Sequence, residues 1–348
     1  MRLITGKTME EAYKNAIREV LLFGEEVSPR GSKTKELAPA TIVVEDARKL
    51  LTAPPSRKIN PCFGIAETLW FLRGSDDLEE IAHYNSVWRY FEDCDNRGKL
   101  NGAYGKRLRD WNGIDQIEEV YKKLQKDGYS RQAIMILFDP ERDNKIRCHG
   151  GYSKDIPCTS YFNFQIRNNK LNLHVTMRSN DLHKGFIYDA HNFMIIQNIL
   201  AGWLGVEVGK YTHTASSLHI YESDESNMYD VLNDELYIYD SIEELPEIRL
   251  DLNEFNLALY NVNVVEEASR TMLTREKSIQ EKVEIVSSCM EHVEAIANDF
   301  WRSAAACLLV YNMRKSRMPR RHWDPIIEKH IIPEYKDLFL NLSDLTRA

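Results

Sequence analysis

The sequence predicts an α+β fold, a mixed β-sheet core with surrounding helices and a helical C-terminal extension, and three observations point to it. Residues 159–177 alternate apolar and polar side chains with a period of two on either side of Asn168-Asn169, which reads as a β-hairpin. Helical apolar patterns bounded by cap residues occur near 8–24, 60–74 and 189–205. From about Glu266 onward apolar positions are spaced as in helices, so the chain divides into a strand-bearing unit over 1–264 and a helical extension over 265–348.

The 348 residues are 43% hydrophobic and 28% charged, an ordinary globular composition with enough apolar material for a sizeable core. A net charge of −8 argues against a nucleic-acid polymer as partner. Cys62, Cys94, Cys148, Cys158, Cys289 and Cys307 form no CxxC pair or His/Cys cluster, which implies reduced thiols, a cytoplasmic setting and no metal site. No apolar run approaches the ~20 residues that span a bilayer, so no membrane partner is expected.

In chain order, Thr8 caps a helix whose Ala12, Ala16, Val20 and Phe23 share a face and which ends at Gly24. The following SPRGSKTKE reads as a polar loop, with Arg30 either reaching over an anion or simply solvated. Asn60, Pro61 and Gly74 bracket a helix that is apolar nearly throughout. Its Glu67 is either a carboxyl whose buried setting suits acid/base work or the partner of an arginine. LNGAYGKRLRDW, with Tyr104 between glycines, reads as loop or turn; 114–126 as a surface helix; and AIMILFD as a buried strand with Arg131 at its mouth.

The hairpin brings Cys158, before one strand, close to Arg178 and Ser179, after the other. A cysteine beside a cation suits nucleophilic catalysis; a buried small hydrophobe is the alternative. Asp189 opens the next helix, as a cap or as a functional carboxylate. KYTHTASSLHIYESD reads as one strand with His219 and Tyr221 on the same face, for hydroxyl recognition or as an ordinary polar face.

Taken together, AETLWFLRG around Glu67, YGK at Tyr104, SRQ at Arg131, IPC at Cys158, RSND at Arg178 to Asp181, the glycine at Gly185 and LHIY at His219 to Tyr221 resemble the thymidylate synthase family in order and spacing. The resemblance covers about residues 10–225. It implies a thymidylate synthase-like catalytic domain over 1–264 and a homodimer packed sheet against sheet. Cys158 would add to C6 of a pyrimidine nucleotide, so that C5 attacks the one-carbon unit of 5,10-methylenetetrahydrofolate. Arg30, Arg178 and Ser179 would hold the phosphate with Arg131 of the other subunit; His219 and Tyr221 would bond the sugar; Glu67 and Tyr104 would manage protons; and Asp181, Gly185 and Trp88 would meet the folate.

At Asp189 the chain departs from thymidylate synthases, which look to have asparagine there. An ionised aspartate accepts from the amino group of cytosine, and a carboxyl shared with N3 can supply a proton, so Asp189 matches cytosine. In this, in MRSND and in Thr159, where thymidylate synthases usually have histidine, the chain looks like deoxycytidylate (dCMP) 5-hydroxymethyltransferases. The expected activity is conversion of dCMP, methylenetetrahydrofolate and water to 5-hydroxymethyl-dCMP. A dCMP methyltransferase, a CMP hydroxymethylase, a thymidylate synthase and a nucleotide-binding protein without catalysis are the alternatives. Gln132, where the family usually has a second arginine, the stretch between Arg30 and Glu67, and the long C-terminal extension also depart from the family pattern.

Overall fold

The computed structural model describes residues 2–52, 54–92, 98–148, 151–235, 247–333 and 335–336. Its main sheet has six strands in the order Arg2–Gly6, Ala40–Val44, Glu207–Ala215, Lys170–Met177, Thr159–Arg167 and Ile134–Ile136. The hairpin forms as the sequence dictates. Asn168 and Asn169 both take left-handed φ values, 52° and 58°, which a two-residue turn needs to follow the twist of its strands. Pairing of Phe162 with Val175, Phe164 with Leu173 and Ile166 with Leu171 then sets the apolar faces in register. A register shift between Thr159 and Tyr161 inserts one extra residue, so that Thr159 and Phe162 both come to be buried.

Two neighbouring parallel strands leave this sheet together. Past Met177 and Ala215 the chain turns at Arg178-Ser179 and at Ser216-Ser217, and Asn180–Asp181 and Leu218–Tyr221 pair in a second, four-stranded sheet with Thr34–Leu37 and Glu25–Val27. The stretch KYTHTASSLHIYESD is therefore two strands in two sheets, because Ser216 still bonds Met177 while Ser217 already accepts from Asn180. Thr34–Leu37, read as part of a polar loop, pairs along its length with Leu218–Tyr221. The strand Ile134–Ile136 lies at the sheet edge with Ile134 and Ile136 exposed, rather than buried on both faces.

The Pro61–Arg73 helix begins on Asn60, whose side chain accepts from the amides of Cys62 and Phe63, and stops at Gly74 with φ 70°. Every residue from Pro61 to Leu72 is buried. It has no polar stripe because it is covered on two sides: the Phe186–Leu204 helix packs on one, and the Asp299–Lys315 helix of the extension on another, where the Cys62 thiol meets the Cys307 carbonyl at 3.5 Å. Phe186–Leu204 starts before Asp189, which thus lies in its first turn rather than at its cap.

The Leu252–Met272 helix spans the 264/265 boundary. Its Glu266, almost fully buried, pairs with Arg73 at 2.7 Å and Arg270 at 2.6 Å and accepts from Tyr84 at 2.9 Å. Tyr104–Arg109, read as a loop, is a short helix. Its fully buried Arg107 donates to the nearby Asn101 carbonyl and reaches the Leu137 carbonyl and Asp143, thirty and thirty-six residues away.

Candidate active site

Cys158 lies immediately before the hairpin where the two sheets part. Its carbonyl accepts from the Arg178 amide at 2.8 Å, so the two ends of the hairpin do meet. The Arg178 guanidinium is held by the Pro157 and Ile156 carbonyls at 3.0 and 2.9 Å. The cysteine was expected to be activated by this cation. Burial instead dominates and raises the Cys158 pKa; Arg178 and, more weakly, Arg30 oppose it, while Asp189 and Asp181 add to it. The thiol form of Cys158 is therefore favoured over the thiolate.

Asp189 projects from the first turn of its helix. Its Oδ2 accepts from Asn180 Nδ2 at 2.8 Å, which aims the carboxyl, and among the described residues no hydrogen bond falls on its other oxygen. Burial raises its pKa to about 7, against the pull of the Asn180 bond and with the help of the Asp181 charge. Asp181 accepts from the amides of Lys184 and Gly185 at 2.5 and 3.1 Å. A side chain at Gly185 would place Cβ 2.9 Å from Asn180 Nδ2 and 3.1 Å from Asp181 Oδ2, so glycine is what lets these groups close around the helix start.

Glu67 faces the same helix from Pro61–Arg73. Among the described residues it pairs with no arginine: Asn192 Nδ2 donates to its Oε2 at 2.6 Å. Burial and the Asp189 charge raise its pKa to about 8, so Glu67 is largely protonated at neutral pH. Tyr104 accepts from the Thr159 amide at 3.1 Å, packs on Phe71 and Phe193, and has its ionisation pushed well up by burial, then by the Asp189 and Cys158 charges. Asp189 thus acts electrostatically on Glu67, Tyr104 and Cys158.

On the small sheet the rings of His219 and Tyr221 meet edge to face at 5.1 Å. Tyr221 ionises with more difficulty than a free tyrosine, through burial and the Asp181 charge, while Arg30 acts the other way. Arg30 is exposed, with φ 53°, and makes no ion pair among the described residues. Ser179 is half-buried between Arg178 and Asn180. Trp88 is half-buried against Trp70 and Phe91, its centroid 5.6 and 5.7 Å from theirs. Arg131 does not join this group. It is exposed beside the edge strand, and no described hydrogen bond or ion pair links it to Arg30, Arg178 or Ser179.

Sequence reading passed over Asn180 and Asn192, the two amides that aim Asp189 and Glu67. Asn180 was visible inside RSND; Asn192, three residues after Asp189, carried only the signal of a polar residue in an apolar helix. Thr159 is fully buried and its hydroxyl has no described partner, although its amide bonds Tyr104. Among the described residues no cluster of His, Cys, Asp and Glu could hold a metal ion, and no helix is long and apolar enough to cross a membrane.

Comparison with known proteins accords with this arrangement. A thymidylate synthase family model matches residues 11–286. A deoxyuridylate hydroxymethyltransferase of Bacillus phage SP01 is 34% identical over 281 residues, 74% of this chain and 72% of the relative. A second protein of that name, from Pseudomonas phage M6, is 28% identical over 225 residues, 64% of this chain and 62% of the relative. A thymidylate synthase of Francisella tularensis subsp. holarctica is 28% identical over 190 residues, 51% of this chain and 68% of the relative. With the match spanning most of the chain and the named relatives all one-carbon transferases, this protein belongs to the thymidylate synthase family.

Proposed function

We propose that the protein hydroxymethylates C5 of deoxycytidylate, taking dCMP, 5,10-methylenetetrahydrofolate and water to 5-hydroxymethyl-dCMP. The observation that carries this is Asp189, a carboxyl beside Cys158 with one oxygen occupied by Asn180 and no hydrogen bond from the described residues on the other. Ionised, it accepts from the cytosine amino group; protonated, it can also give its hydrogen to N3. A pKa of about 7 makes both forms available near neutrality.

In this reading the Cys158 sulfur bonds to C6 and the electron pair of the C5–C6 bond moves onto the ring, a shift that a proton from Asp189 at N3 favours. Tyr104 and the largely protonated Glu67 hold and move protons over the base as the C5 proton leaves. Arg30, Arg178 and Ser179 bind the phosphate; His219 and Tyr221 bind the sugar. The donor set suits a folate: the Asp181 carboxylate offers acceptor oxygens, Gly185 leaves room beside it, and Trp88 gives a flat apolar surface. When bound, the folate supplies a one-carbon unit at the oxidation level of formaldehyde.

The names of the two phage relatives favour a hydroxymethyl product but a uracil base, so hydroxymethylation of dUMP is the second reading. Turnover of each nucleotide, with the product mass measured, separates the two: dCMP should react faster and gain a hydroxymethyl group. Faster turnover of dUMP would sink the base assignment, and a methyl product the reaction. The pH dependence of binding is also informative. Above about 7 Asp189 is ionised and presents only acceptors, which repel O4 of uracil; below it the neutral carboxyl can donate to O4. From pH 6 to 8 calorimetry should therefore show dUMP binding weaken more than dCMP binding, by roughly three- to tenfold.

Arg131 completes the phosphate site only from a second copy, and the proposed assembly is a homodimer joined through the open face of the main sheet. Mixing Arg131→Ala with Cys158→Ala, each inactive alone, should restore about one quarter of native activity, since half of the dimers formed carry one intact site. No recovery after subunit exchange would place Arg131 outside the partner's site.

A further inference from the structure

Tyr335 of the extension approaches the hydrogen-bond chain that leads to Glu67. It is almost fully buried, packs on Phe300, and brings its hydroxyl to 3.5 Å from His191 Nε2. On the other side of that ring, Nδ1 lies 3.1 Å from Asn192 Oδ1, and Asn192 Nδ2 donates to Glu67. The contacts make one self-consistent assignment of donors and acceptors along this chain, given that Asn192 Nδ2 donates to Glu67. An amide oxygen only accepts, so His191 must carry its hydrogen on Nδ1; burial keeps the ring neutral, its pKa lowered to about 4, so Nε2 is a lone pair towards which the Tyr335 hydroxyl donates. Thr68 bonds the same amide oxygen but could also serve the reversed amide, by donating to the Gly64 carbonyl and accepting from Nδ2. Its hydroxyl lies 2.7 Å from Asn192 Oδ1 and 3.0 Å from the Gly64 carbonyl and has one hydrogen for the two.

We propose that Tyr335 and His191 are positioning residues, which lock the Asn192 amide with its N–H rather than its carbonyl towards Glu67. The proposal rests on reading Glu67 as a group that handles protons during the C5 reaction. With the amide reversed, a carbonyl oxygen would face the carboxyl, and the ionised form of Glu67 would lose its donor. The other titratable groups around Glu67 are Asp189, whose charge it feels, and Tyr188, which feels its charge in turn. The extension thereby acts on the site and is more than a cover for the Pro61–Arg73 helix.

The ionisation of Glu67 is measured directly, by infrared difference titration of the full chain against Glu67→Gln without nucleotide. The native midpoint is expected near pH 8. Tyr335→Phe should raise it by about half to one unit, because the donor to the ionised carboxyl is no longer held in place. His191→Gln, which offers a donor only at the Nε2 position, should do the same. His191→Asn, which offers one at the Nδ1 position, should leave the midpoint native, and Tyr335→Phe should then add nothing. An unchanged midpoint in Tyr335→Phe and His191→Gln overturns the proposal, as does a Tyr335→Phe shift that persists in His191→Asn. If Tyr335→Phe does not fold, His191→Gln against His191→Asn decides alone. No substrate enters the titration, so preferential turnover of dUMP would remove the cytosine reading and leave this result standing.

Discussion

Cys158→Ala should lower turnover by at least about ten-thousand-fold, because in the proposed reaction it is the Cys158 sulfur that bonds to C6. Nucleotide binding should change little. The thiol is half-buried and raised in pKa, so in the resting site it carries little negative charge for the substrate to sense. The distinguishing readout is release of tritium from C5 of labelled nucleotide. That bond loosens only after sulfur adds at C6, so release should stop along with turnover, while binding measured by calorimetry stays within a fewfold of native. Continued release in Cys158→Ala would mean that the ring is activated without a covalent adduct. Since burial outweighs Arg178 at this sulfur, native activity should still be climbing at pH 8, and a rate that is flat there would show that bound substrate ionises the thiol.

Asp189→Asn should move base preference from cytosine towards uracil by roughly ten- to a hundredfold in kcat/KM, the weight of ~1–3 kcal/mol for a mismatched buried polar group. Asn180 supplies the reason for the direction. It donates to one Asp189 oxygen, and an amide in that place would put its own oxygen against this donor and its NH2 towards the base. The amide would then meet the cytosine amino group donor to donor, but would match O4 of uracil. The same variant loses the proton available to N3. Relative rates for dCMP and dUMP in the native and Asp189→Asn proteins check this, and an unchanged ratio would show that Asp189 does not read the base. Asn180→Ala, which removes the orienting donor, should blur the preference in both backgrounds.

Local chemistry made several elements legible. Asn168-Asn169 with alternating neighbours could be little other than a tight hairpin, and Asn60-Pro61 with Gly74 marked both ends of a helix to within a residue. Glu67 and Asp189 were recognisable as carboxyls in apolar helices. Their consequences were not, since a raised pKa depends on which groups are near: Asn192 for one, Asn180 and Asp181 for the other. Tyr104–Arg109 was misread because its helix is anchored by buried Arg107 against Asp143, thirty-six residues away. The split of KYTHTASSLHIYESD was hidden because a strand that changes partners keeps its period of two on both sides of the break.

The sequence by itself determined the hairpin, the capped helices and the order of motifs that identifies the family, because turn chemistry, capping and periodicity act between residues a few positions apart. Tertiary structure alone decided that Cys158 rests as a thiol, that Asn180 and Asn192 aim the two carboxyls, and that Tyr335 of the extension reaches His191. Each of these is set by burial and by contacts between distant segments, and an amide side chain acquires a direction only from the neighbours that the fold places on either side of it.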